Sequence, residues 1–64
     1  MEINLTNKEE LKYHSISESK ANEFLKRGYR VFEYGFGYDY IIYDNNMNVV
    51  EELTTEEFIS IMND

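Results

Sequence analysis

The chain has 64 residues, six Lys and Arg against thirteen Asp and Glu, a net charge of −7 and no cysteine. A single domain of this length buries only about 60% of the surface its unfolded chain exposes, and no disulfide or zinc–thiolate site can add to its few kcal/mol of stability. No apolar run approaches the roughly 18 residues of a membrane span, and "MEINLTNKEE" lacks a basic start followed by an apolar block, so the expectation is a cytoplasmic chain that neither crosses a membrane nor carries a signal peptide.

Residues 1–64 read as one α+β domain. Met1 to Leu5 alternates apolar and polar residues, a weak strand signal. Thr6 and Glu9 have capping-box spacing, which offers a short helix from Asn7 to about Tyr13 as the other reading of this segment. The next helix, about 18–27, has both ends marked. Ser17 can cap it, Glu18 complements its positive end, Lys26 and Arg27 its negative end, and Gly28 supplies a left-handed exit. Ala21, Phe24 and Leu25 share one face.

Three strands are expected at about 29–34, 38–43 and 48–53, rich in aromatic and β-branched residues and separated by Gly-Phe-Gly and Asp-Asn-Asn-Met. Connections this short force an antiparallel meander. A final helix, about 55–62, opens on Thr54 and Glu57 as a capping box, with Leu53 and Phe58 as a hydrophobic staple.

A three-residue loop at Gly35–Gly37 sets Tyr34 opposite Tyr38, and the next turn sets Tyr43 opposite Asn48. On this register Glu33, Asp39 and Glu52 form a row of acids across the sheet, and both faces are substantially apolar. A row of like charges costs up to about 1 kcal/mol per pair, which points to a basic surface meeting it. A two-residue turn at Gly35-Phe36 would break the row. Apolar residues on both faces call for helices on each side or for a second molecule.

Several motifs fail on their own terms. Gly35-Phe36-Gly37 lacks the third glycine and the following helix of a dinucleotide fingerprint. Asp44, Asn46 and Asn48 copy the start of a calcium loop, but Val49 stands where glycine is needed and Thr55 where glutamate is needed. His14 is the sole histidine and reads as a surface residue. No catalytic, metal or cofactor site is expected, so the chain is not read as an enzyme.

Charge is the strongest functional signal. Residues 1–30 hold five acids and six bases, whereas residues 31–64 hold eight acids and no Lys or Arg. This balance argues against direct nucleic-acid binding, which depends on basic side chains. The leading expectation is a protein-binding inhibitor or modulator that docks its acidic, Tyr-rich surface on a basic, nucleic-acid-handling protein. In size and charge such a chain is similar to the small acidic phage-encoded inhibitors of host defence or repair enzymes. The expected partner-binding residues are Glu33, Tyr34, Phe36, Tyr38, Asp39, Tyr40, Asp44, Glu51 and Glu52, with Phe36 as the preferred anchor. The alternative is a homodimeric structural or regulatory module whose aromatic sheet face is its own interface.

Overall fold

The computed structural model describes residues 1–63. Its order is α1 (Lys8–Tyr13), α2 (Glu18–Lys26), β1 (Arg30–Phe36), β2 (Tyr38–Tyr43), β3 (Val49–Leu53) and α3 (Thr55–Met62). The three strands form one antiparallel sheet in the order β1-β2-β3. This is the α+β meander expected, with helices before and after it. No helix among the described residues is long and apolar enough to cross a membrane.

Local chemistry sets the helix ends. Asn7, not Thr6, caps α1: its Oδ1 accepts from the N–H groups of Glu9 and Glu10 at 2.9 and 3.3 Å. Thr6 instead donates its hydroxyl to Asn4 Oδ1 at 2.6 Å. Ser15 leaves α1 with φ 59°, while Ile16 N–H reaches back to the Leu11 carbonyl at 2.8 Å. Ser17 Oγ caps α2, and Gly28 ends it at φ 72°, where an added Cβ would sit 3.2 Å from the Asn45 Cβ. At α3 the capping box is complete, with Thr54 Oγ1 accepting from Glu57 N–H and Glu57 Oε1 accepting from Thr54 N–H.

One core holds these elements together. Leu11, Ala21, Phe24, Phe58 and Met62 from the helices, and Ile3, Leu5 and Ile16 from connecting segments, pack on Val31, Tyr40, Ile42 and Leu53 of the sheet. Phe58 stacks on the Tyr40 ring at a 3.8 Å centroid distance. Leu25, expected on the buried face of α2, is exposed.

The strand register differs from the one expected. Val31 pairs with Ile42, Glu33 with Tyr40, and Phe36 with Tyr38, so Tyr34 and Gly35 together face Asp39 in a bulge. The chain reverses at Gly37, φ 70°. On the other side Tyr40 pairs with Leu53, Ile41 with Glu52, and Tyr43 with Val49, leaving Val50 as the irregular residue. Burial explains this choice: Val31, Tyr40, Ile42 and Leu53 then share the face under the helices, whereas the expected register sends Val31 to the opposite face from Ile42. The row of acids is thereby broken. Glu33 lies beside Tyr40 on the helix side, Glu52 beside Ile41 on the far side, and Asp39 opposite the bulge.

The helices cover one face only. Phe32, Tyr34, Ile41, Tyr43 and Val49 are on the other, and none of them belongs to the core. Arg30 lies over the Phe32 ring at 5.4 Å and is held there by Glu2, which accepts from Nε and Nη2 at 2.8 and 2.7 Å. That fork holds the Glu2 carboxyl below the usual carboxylate range.

Candidate functional site

The expected partner-binding residues separate into a group at the hairpin tip, a group at the β3 edge, and a group engaged in the fold. Tyr34, Phe36 and Tyr38 stand at the tip. Phe36 is 91% exposed and Tyr38 51%, and nothing approaches the flanking Gly35 and Gly37 within 4 Å of where a Cβ would be. Gly37 serves the reversal and Gly35 lies in the bulge, while the Phe36 ring has no core to fill. Tyr34 stacks at 6.2 Å on Phe32 and its hydroxyl lies 3.4 Å from that of Tyr43, a hydrogen bond that raises its pKa.

Glu51 and Glu52 are exposed on β3. Glu56, in the first turn of α3, lines the same groove as Glu51. In the sequence Glu56 reads as an acid complementing the helix dipole, which it also is. Its place in the groove with Glu51 depends on how α3 packs against the sheet, and no local signal carries that.

The remaining four have structural work. Tyr40, expected at a partner surface, is 6% exposed and belongs to the core. Asp39 Oδ2 accepts from Thr55 N–H and Thr55 Oγ1 at 3.2 and 2.7 Å, tying β2 to the start of α3. Asp44 accepts the N–H groups of Asn46 and Asn48 at 2.8 and 2.9 Å, which lowers its pKa and fixes the turn between β2 and β3. Met47 occupies the left-handed position of that turn, φ 62°.

Glu33 belongs to a polar chain under the helices. His14, expected at the surface, is only 7% exposed. Its Nδ1 lies 3.0 Å from the Tyr40 hydroxyl, which in turn donates to Glu33 Oε2 at 3.3 Å. A phenol has one proton to give, so with the Tyr40 O–H directed at the carboxylate, Nδ1 carries a proton and donates to the phenolic oxygen. The same nitrogen lies 3.6 Å from Glu33 Oε2, where a lone pair would be repelled. Among the described residues no buried side-chain nitrogen or oxygen lacks a partner. Desolvation first, and then the Glu33 charge, pushes the Tyr40 hydroxyl up to about 12.

This chain explains why a lone histidine sits in a small core: its Nδ1 is paired there. Its partner is 26 residues away in sequence, so spacing gave no warning. The arrangement fixes the orientation of the ring.

No protein-family model, curated protein or solved structure matches the chain.

Proposed function

We propose that this protein is a small acidic binding module, an inhibitor or modulator, that docks on the basic surface of a nucleic-acid-handling protein and keeps the polynucleotide out. The observation that carries this reading is the hairpin tip. It presents Phe36, 91% exposed and flanked by Tyr34 and Tyr38, within a half-chain containing no Lys or Arg. An exposed aromatic ring at a hairpin tip is a ready anchor, because burying it in a partner's pocket removes a large apolar area from water. Carboxylates of Glu51, Glu52 and Glu56 would stand where phosphates otherwise lie, steering approach and opposing acidic partners. The protein acts by binding, without chemistry, and in the cytoplasm. In size and charge it stands with phage-type counter-defence inhibitors.

The test is binding to basic nucleic-acid-binding proteins by titration calorimetry at 50 and 300 mM salt, with DNA as the control ligand. Tight binding that weakens at high salt, an approximately 30-fold loss on Phe36→Ala, and no binding to DNA are the expected results. Affinity unchanged by Phe36→Ala removes the hairpin tip from the interface.

A second reading is favoured by the bare sheet face. Phe32, Ile41, Tyr43 and Val49 form an apolar surface that a second copy could cover, making a homodimeric regulatory module. Light scattering separates the two: a dimer independent of concentration supports this reading.

A further inference from the structure

The two edges of the sheet are finished differently. Along β1, the Met1 carbonyl accepts from Glu33 N–H and the Val31 carbonyl accepts from Ile3 N–H, each at 2.8 Å, so residues 1–3 cover that edge. β3 bonds to β2 on one side, and among the described residues no strand lies on its other side. A bare edge is a row of unpaired N–H and C=O groups, a template for another strand. Beside it, on the helix side, runs a groove of about 400 Å³ lined by Glu51, Leu53, Glu56, Glu57, Ser60 and Ile61. Among the described residues no Lys or Arg forms an ion pair with Glu51, Glu52 or Glu56. Val49 and Val50 are both exposed, Val49 at 53%.

We propose that the β3 edge takes up an extended segment of a partner protein as a fourth strand, with Lys or Arg at alternate positions directed into the groove beside α3. This inference rests on the reading that the acidic half faces a basic partner, and it adds a second contact apart from the hairpin tip. Alternate side chains of an added strand point to opposite faces. On the groove side, the methylenes of a Lys or Arg cover the partly exposed Ile61 while the charged end meets Glu51 and Glu56. Glu57 is partly committed, since its Oε1 accepts from Thr54 N–H. On the far side, an apolar partner residue meets the exposed Val49, with Glu52 further along the same face. Main-chain pairing supplies affinity and the acidic groove supplies selection.

Charge decides against a second copy as the occupant. Antiparallel self-pairing through β3 brings Glu51 and Glu52 of one chain against those of the other, between molecules that each carry −7. The same carboxylates that block self-association admit a basic strand.

The experiment titrates the ¹⁵N-labelled full chain, at low salt, with a ten-residue peptide alternating lysine and valine. A control peptide of identical composition carries its lysines in one block and its valines in another. The expected result is at least tenfold slower hydrogen exchange at those amides of Val49–Leu53 that point away from β2, with the alternating peptide only. Glu51→Lys with Glu56→Lys should weaken that peptide at least tenfold with an unchanged circular dichroism spectrum. Equal responses to both peptides, or none to either, overturn the proposal. So does a response confined to Tyr34–Tyr38, although that outcome leaves the basic-partner reading standing. Protection of the same β3 amides without peptide, rising with protein concentration, overturns it in favour of a second copy.

Discussion

The two faces of the sheet use similar residue types for opposite ends. Under the helices, Val31, Tyr40, Ile42 and Leu53 are buried against Phe58 and Met62, and even His14 Nδ1 and the Tyr40 hydroxyl are paired. On the far face and at the tip, Phe32, Tyr34, Phe36, Tyr43 and Val49 remain outside the core, Phe36 almost wholly in solvent. An aromatic residue in this chain is therefore no guide to burial. Strand parity and the bulge at Tyr34-Gly35 decide which ring stabilises the fold and which is left for a partner.

The comparison is broken most severely from the closed face. Phe58→Ala removes a fully buried ring that stacks on Tyr40, at an expected cost of about 3–5 kcal/mol. That is comparable to the whole stability of a domain this size, so urea melts should show the variant largely unfolded at 25 °C.

Alkaline pH probes the same face more gently. The Tyr40 hydroxyl, pushed up to about 12 in the fold, is released near 10 when the chain unfolds. The folded state thus holds this proton more tightly. Stability is full below about pH 10, and up to about 3 kcal/mol of it is lost as pH rises to about 12. In Tyr40→Phe most of that slope should vanish, and at neutral pH the variant should be weaker by about 1–3 kcal/mol because His14 Nδ1 loses its acceptor. Urea midpoints from pH 7 to 12 measure both.

Away from either face, the turn between β2 and β3 can be relaxed. Met47 holds a left-handed φ of 62° that glycine adopts without strain, so Met47→Gly should raise stability by about 1 kcal/mol. A lower denaturation midpoint would mean that the contact from Arg30 Nη1 to Met47 Sδ at 3.1 Å outweighs the backbone gain.

The smallest stability effect belongs to the open region. Phe36→Ala should leave the denaturation midpoint within about 0.5 kcal/mol of the parent, since the ring touches no core. A larger loss would show that the tip serves the fold after all.

What the sequence disclosed divides along the same physical line. The ends of α2 and α3 were legible because capping is local: Ser17, Gly28, Thr54 and Glu57 act where their spacing places them, whereas at α1 Asn7 takes the cap expected of Thr6. The meander followed from short connections between β-rich runs. Register did not follow, because one extra residue opposite Asp39 shifts the pairing, and only the need to bury Val31 with Ile42 selects it. The site suffered in proportion. Phe36 and Tyr38 stand out where their glycine-flanked position suggested, whereas Tyr40 went into the core and Asp39 and Asp44 took up backbone and side-chain hydrogens of the fold. His14 was hidden by distance in sequence from its partner.

The most direct measurement captures partners of the tagged full chain from cells of its source at low salt, beside Phe36→Ala and Glu51→Lys with Glu52→Lys, with heparin as a competing polyanion. The expected result is a basic nucleic-acid-handling protein held by the parent chain, released by heparin, and depleted at least tenfold on either variant. A catch identical on all three chains, or none on the parent, contradicts the assignment of the open aromatic and acidic surface to a basic partner.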